Sequence, residues 1–162
     1  MKTYIGTKII NATPMTRLAY NQLRGWTLPA DENGDDEGYL VEYVDGGAAN
    51  HPDYAGYISW SPSAVFDAAY APSGQMTFGH ALEMLKRGHR VARAGWNGKG
   101  MFLFLVPGST FKVNRPPLLG IYPEGTEVNY HAHIDMKTAD GQVVPWLCSQ
   151  TDALASDWCV LD

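Results

Sequence analysis

Three short stretches of the chain hold side chains able to do chemistry. Arg93–Met101 reads RAGWNGKGM, with one tryptophan between glycines, an amide beside it and a cation on either side. Pro145–Asp152 reads PWLCSQTD, a tryptophan followed by hydroxyl, amide and carboxylate groups. Between them lies His131-Ala-His133-Ile-Asp135, with a metal-ligating residue type at every second position. The first two stretches suit a flat, anionic, ribose-bearing ligand. The third suits metal-assisted hydrolysis.

In RAGWNGKGM, Gly95, Gly98 and Gly100 let the backbone approach a partner and expose N–H groups, as glycine loops do around phosphates. The spacing is not that of a nucleotide-hydrolysing loop, which needs four residues before Gly-Lys and a Ser or Thr after it. What remains is a strand–loop–strand connection presenting Trp96, Asn97 and Lys99. Equally, Trp96 plugs the core and Lys99 is merely solvated. In PWLCSQTD, Trp146 can stack a base while Thr151 and Asp152 bond a ribose or base edge. The plainer alternative has Ser149 or Thr151 capping a short helix toward Ala155, with Trp146 buried. That alternative is the better one for Ser149 but not for Trp146. On a strand, His131, His133 and Asp135 share a face and could converge on a metal-dependent hydrolase site. Such sites recruit further ligands, and His51, His80 and His89 lack partnering spacing, so a structural role is expected. His133 and Asp135 are read as helping to line a polar pocket. No GxSxG nucleophile motif is present.

The elements that must position these residues fall into two halves. AYAPSGQ, Ala69–Gln75, reads as a seam. Residues 1–75 hold nine acids and four bases, whereas residues 76–162 hold eight of each. The acidity belongs to the first half. Lys86, Arg87, Arg90, Arg93 and Lys99 against Glu83 alone open the second half as a basic region. The expected organisation is a small accessory α+β domain over 1–75 and a ligand-binding domain over 76–162.

In the first half the pattern predicts a strand over Tyr4–Ile10, a helix over Thr16–Arg24 and strands over Tyr39–Val44 and Tyr57–Trp60. Ser61 is expected to cap a second helix with Pro62 at its first position. Trp26, Tyr39, Tyr43, Tyr57 and Trp60 are read as building a small core rather than a second binding face. In the second half Thr77 caps a helix with the stripe Phe78, Ala81, Leu82 and Leu85, stopped by Gly88. Strands are predicted over Arg90–Arg93, Met101–Val106, Thr110–Val113, His131–Lys137, Val143–Leu147 and Asp157–Leu161. Asp140-Gly141 is a hairpin turn signal, and Pro116–Thr126 a loop. The fold class is α+β, a helix packed on a mostly antiparallel sheet, preceded by the small α+β unit.

At 162 residues, 45% hydrophobic and 18% charged, the chain can bury a core unaided. A net charge of −5 argues against general DNA or RNA binding. No segment approaches the roughly 18 apolar residues of a membrane span. MKTYIGTKII lacks the apolar run of a signal peptide. Cys148 and Cys159 lack metal-site spacing and are read as reduced, small core residues of an intracellular protein.

Met76–Ser109, MTFGHALEMLKRGHRVARAGWNGKGMFLFLVPGS, together with NYHAHIDMKTADGQVVPWLCSQTDALASDW, closely resembles the second type of phage Thoeris anti-defence protein. The likeness covers residues 76–162. Residues 1–75 resemble a small domain of phage and prophage proteins. The resemblance implies a sponge, not an enzyme. It would bind and sequester the cyclic ADP-ribose-type immune signal that TIR enzymes make, glyco-cyclic ADP-ribose, without cleaving it and without a cofactor or metal. Some members also take cyclic dinucleotides at a separate site. It further implies a homotetramer with pockets near subunit interfaces, working in the cytoplasm of an infected or lysogenic bacterial host. Carried over by motif, Trp96 and Trp146 sandwich the base. Arg93 and Lys99 then become candidate pyrophosphate partners, and Asn97, Thr151 and Asp152 candidate ribose or base-edge partners. His131 and Cys148 depart from the family's usual pattern.

Overall fold

Ile10–Pro14 (β1), Gly38–Tyr43 (β2) and Tyr57–Pro62 (β3) form an antiparallel sheet in the order β1-β2-β3. A computed structural model describes residues 1–161, and the chain divides into two compact units, Met1–Ala71 and Pro72–Asp162. The first strand lies later than the β-branched run Tyr4–Ile10 predicts, and residues 1–9 form no regular element. Strands are held by cross-strand partners, and the register Ile10↔Tyr43 through Pro14↔Tyr39 supplies them only from Ile10 onward. Pro14 closes an edge strand, where a missing N–H costs least.

Thr16 caps the helix Arg17–Leu23 (α1), its hydroxyl accepting the Ala19 N–H at 3.2 Å. The helix buries Tyr20 against Leu40 and Ile58, with Met15, Leu23, Tyr54 and Trp60 packed around them. The Tyr20 hydroxyl donates to the Ile58 carbonyl, and the Trp60 indole N–H to that of Met15 at 2.8 Å. The second helix, Ser63–Asp67 (α2), starts without a side-chain cap, because Ser61 and Pro62 pair with Tyr39 and Gly38 in the sheet. Phe66 stacks on Tyr39 at 4.0 Å. The small core is not built from every aromatic of this half. Trp26 and Tyr57 remain 54% and 45% exposed, since the turn after α1 and the sheet's outer face carry them to the surface.

In the second unit Thr77 caps the helix Phe78–Lys86 (α3) in a reciprocal box, with His80 where Glu or Gln usually stands. Gly88 at φ +90° ends it in the left-handed region that favours glycine. Ala81 and Leu85, both fully buried, face a five-stranded antiparallel sheet. Its strands are Arg90–Arg93 (β4), Phe102–Val106 (β5), His133–Lys137 (β8), Val143–Pro145 (β9) and Trp158–Leu161 (β10), in the order β10-β4-β5-β8-β9. The helix packs on β10, β4 and β5. The fold is α+β, as the sequence predicts.

Ser109–Lys112 (β6) and Glu127–Tyr130 (β7) form a separate two-stranded ladder around the proline-bearing loop. The strand β7 has no clear sequence signal, because its side chains are mostly exposed and do not alternate sharply. The strand β9 stops at Pro145 rather than Leu147. The N–H of Trp146 then reaches back to the Ile134 carbonyl at 3.0 Å. A four-residue helix, Gln150–Ala153 (α4), precedes β10. Cys148 and Cys159 are free thiols, half-buried rather than enclosed in the core. Among the described residues no helix is long and apolar enough to cross a membrane.

Candidate functional site

The register of β4 against β10 sets Arg93 opposite Trp158. Everything at the site follows from that pair. Trp158 is fully buried, with its indole N–H on the Asp152 carbonyl at 3.1 Å. Its backbone N–H and carbonyl both bond Met76, so the residue leading into α3 is tied to it. Three rings surround it. Phe78 lies 5.2 Å away, Trp96 5.5 Å and Trp146 6.2 Å, centroid to centroid. The planes of Trp96 and Trp146 make angles of 77° and 84° with that of Trp158. Both are the edge-to-face arrangement that ring quadrupoles favour. Both are half-buried, whereas Trp158 is closed off.

Arg93 binds two carboxylates. Its Nη1 donates to Asp152 and its Nε to Asp157, each at 2.7 Å. Asp152 also accepts the Trp96 indole N–H at 3.0 Å and the Ser149 hydroxyl at 2.7 Å. Asp157 accepts the Gly95 N–H at 2.7 Å. A Cβ on Gly95 would sit 2.8 Å from that carboxylate oxygen, so the glycine serves close approach here. Ser149 caps α4 by accepting the Asp152 N–H. The loop of RAGWNGKGM and the segment PWLCSQTD therefore meet through Arg93, Asp152 and the Trp96 indole.

The electrostatics follow from these bonds. Hydrogen bonds from Arg93 and then from the Gly95 N–H hold the Asp157 carboxyl below the usual carboxylate range. Burial works to raise that of Asp152, but bonds from Arg93, Ser149 and Trp96 together outweigh it, and it too lies low. The Arg93 guanidinium is raised, first by Asp157 and then by Asp152. A carboxylate whose folded pKa is depressed stabilises the fold above its unfolded value, and that contribution is lost as pH falls through the folded one. The melting temperature is thus expected to hold steady above about pH 5. It should fall as pH drops below about 3.9, the ordinary aspartate value, and the fall should be shallower in Asp157→Asn. Thermal denaturation across that range checks this. Equal slopes in the two proteins would reject the assignment.

The candidate residues divide accordingly. Arg93, Trp96, Trp146 and Asp152 gather around Trp158. Asn97, Lys99 and Thr151 are exposed. Arg93 is only 14% exposed and committed to carboxylates, and the Gly95 and Trp96 N–H groups are already bonded within the protein. Trp158, Asp157 and Phe78 complete the cluster, although the sequence marks Phe78 only as part of a helix stripe and Asp157 and Trp158 only as the start of the last strand. Their signal was thin, a third tryptophan at the start of the last strand.

The histidine stretch assembles differently. His131 lies in the two-residue joint between β7 and β8, so it shares no strand face with His133 and Asp135. The His133 Nε2 lies 3.7 Å from an Asp135 oxygen that has no hydrogen-bond partner among the described residues. No group of three metal-ligating side chains comes together among them.

Residues 76–161 match the profile of the Thoeris anti-defense 2-like domain. Thoeris anti-defense 2 of Bacillus phage SP01 is 44% identical over 87 residues, spanning 54% of this chain and 96% of that protein.

Proposed function

The chain belongs to the Thoeris anti-defense 2-like family, and from that premise we propose that its second unit is a phage anti-defence module that sequesters a nucleotide immune signal. The ligand is a cyclic ADP-ribose-type molecule, glyco-cyclic ADP-ribose being the first candidate and cyclic dinucleotides the second. It is held and not cleaved. Residues 1–75 act as an accessory domain.

One observation carries this reading. The Trp96 indole is fixed by the Asp152 carboxylate at 3.0 Å, while Trp146 stands at nearly the same steep angle to the buried Trp158. Two half-buried tryptophans braced on a third suit stacking on a base. Each such stack is worth about 1–3 kcal/mol. Bracing them beforehand lowers the ordering cost of binding. Arg93 acts here as a positioning residue that locks both loops, and exposed Lys99 is the cation that meets the pyrophosphate. Asn97 and Thr151 contact ribose or base edges. Asp152, kept ionised, accepts hydrogen bonds and fixes Trp96. A carboxylate already paired with arginine is a poor general base, which fits a protein that keeps its ligand intact.

Calorimetric titration with glyco-cyclic ADP-ribose, then heat denaturation and chromatography of what is released, tests the proposal. Tight binding with unaltered ligand recovered in stoichiometric amount is the expected result. A chemically changed ligand sinks it. Trp96→Ala and Trp146→Ala should each weaken binding about 10- to 100-fold, the loss of one stack, with the fold kept. Unchanged affinity in both would remove the tryptophans from the site.

The second unit also has a surface for self-association. Val143 and Val144 lie on the edge strand β9, and Leu147, two residues beyond its end, is 91% exposed. Exposed edges carrying large apolar side chains are what subunit contacts cover. A homotetramer closed over this region places the Trp146 segment near a subunit boundary. Leu147→Asp is expected to lower the oligomeric state in light scattering. An unchanged mass would remove this edge from the interface.

A further inference from the structure

The first unit has a concavity of its own, about 440 Å³ in volume and bounded among others by Arg17, Arg24, Trp26, Glu32, Tyr57 and Trp60. That size falls within the range of small-molecule sites, about 300–1,000 Å³. Its two arginines are not equivalent. Arg17 lies 4.6 Å over the Trp60 ring, and its guanidinium is satisfied by Glu32 at 2.8 Å and Asp36 at 3.1 Å. Arg24, at the C-terminal cap of α1, lies 4.5 Å over the Trp26 ring. It is near enough to Tyr20 to favour the ionised phenol, although burial dominates and pushes that hydroxyl up. Its Nη1 is buried and has no hydrogen-bond partner among the described residues. A desolvated guanidinium N–H without an acceptor is costly, and an acceptor supplied from outside would recover that cost.

We infer that this concavity binds a flat, singly charged organic carboxylate. The Arg24 side chain, half-buried as a whole, turns to bring its unfilled Nη1 to the carboxylate, and the ring lies against Trp26 and Tyr57, whose exposure leaves aromatic surface available. Charge limits the class. Residues 1–75 carry nine acids against four bases, and Glu32 stands in the wall. One guanidinium with a single unfilled nitrogen, in acidic surroundings, accommodates one negative charge and opposes a polyphosphate. This site is therefore distinct in chemistry from the tryptophan cluster of the second unit.

The test uses the whole chain and three matched probes, 2-naphthoate, its neutral amide, and naphthyl phosphate. The readout is the assigned indole N–H signals of all five tryptophans in NMR titrations. Naphthoate is expected to shift Trp26 and Trp60 saturably. The amide should bind about tenfold more weakly, the worth of one charge-assisted hydrogen bond, and the phosphate no more tightly than naphthoate. Arg24→Gln should abolish the preference for naphthoate over the amide while leaving the other indole signals in place. Equal binding of naphthoate and amide overturns the inference, as does a preference that survives Arg24→Gln. Shifts confined to Trp96, Trp146 and Trp158 would also overturn it, by assigning the probe to the second unit. None of these outcomes depends on whether that unit binds an immune signal.

Discussion

Trp158→Ala should destabilise the second unit by about 3–5 kcal/mol, the range for truncating a fully buried Trp or Phe. Three causes act in one direction. The side chain is fully buried. It is the shared contact of Phe78, Trp96 and Trp146, so its loss leaves a cavity that three rings must fill by tilting. Its N–H also satisfies the Asp152 carbonyl at the end of α4. Trp158→Phe keeps a ring but not the donor and is expected to cost less. Urea denaturation followed by near-ultraviolet circular dichroism checks both variants. A loss below about 1 kcal/mol in the alanine variant would mean the cluster is not the keystone of this unit. Because Trp158 braces the two half-buried indoles, the proposed signal binding should weaken even where Trp158→Phe stays folded.

Arg93→Ala ranks second, at about 3 kcal/mol. Removing one member of a partly buried charge network leaves the others desolvated and unpaired. Here two carboxylates, 14% and 31% exposed, would lose their common partner. Arg93→Lys restores the charge but not the planar fork that reaches Asp152 and Asp157 together, so it should recover only part of the loss. A double-mutant cycle with Asp157→Asn separates the pair from the rest. The coupling should exceed 1 kcal/mol in magnitude, since hydrogen bonds between charged groups contribute about 1.5–3 kcal/mol. Additive effects would show that the two side chains are neighbours without being partners. The pH dependence described above should flatten in Arg93→Ala, because the bonds that depress the two carboxyls would be gone.

Much of the local structure was legible in the chain. Thr77 and Ser149 each cap a helix, Gly88 ends one, and the Asp140-Gly141 turn joins β8 to β9. These features depend on residues a few positions apart, so a one-dimensional reading reaches them. The α+β class followed from the same signals. The sequence also placed Trp96 and Trp146 in the two stretches that meet.

Tertiary structure alone decided the rest. The run Tyr4–Ile10 has strand-forming side chains, but a strand needs a partner, and the register with β2 begins only at Ile10. His131, His133 and Asp135 have the right alternation, but β8 starts after His131 and breaks the shared face. Arg93 looks, in sequence, like a cation available to a phosphate. Its partner Asp157 lies 64 residues away and is delivered by the pairing of β4 with β10. Trp26 looks like core, yet it ends on the surface with Arg24 stacked on its ring. Residue type and spacing determined what each side chain was able to do. Which of its possible partners it met was set by strand register and burial, which are properties of the folded chain as a whole.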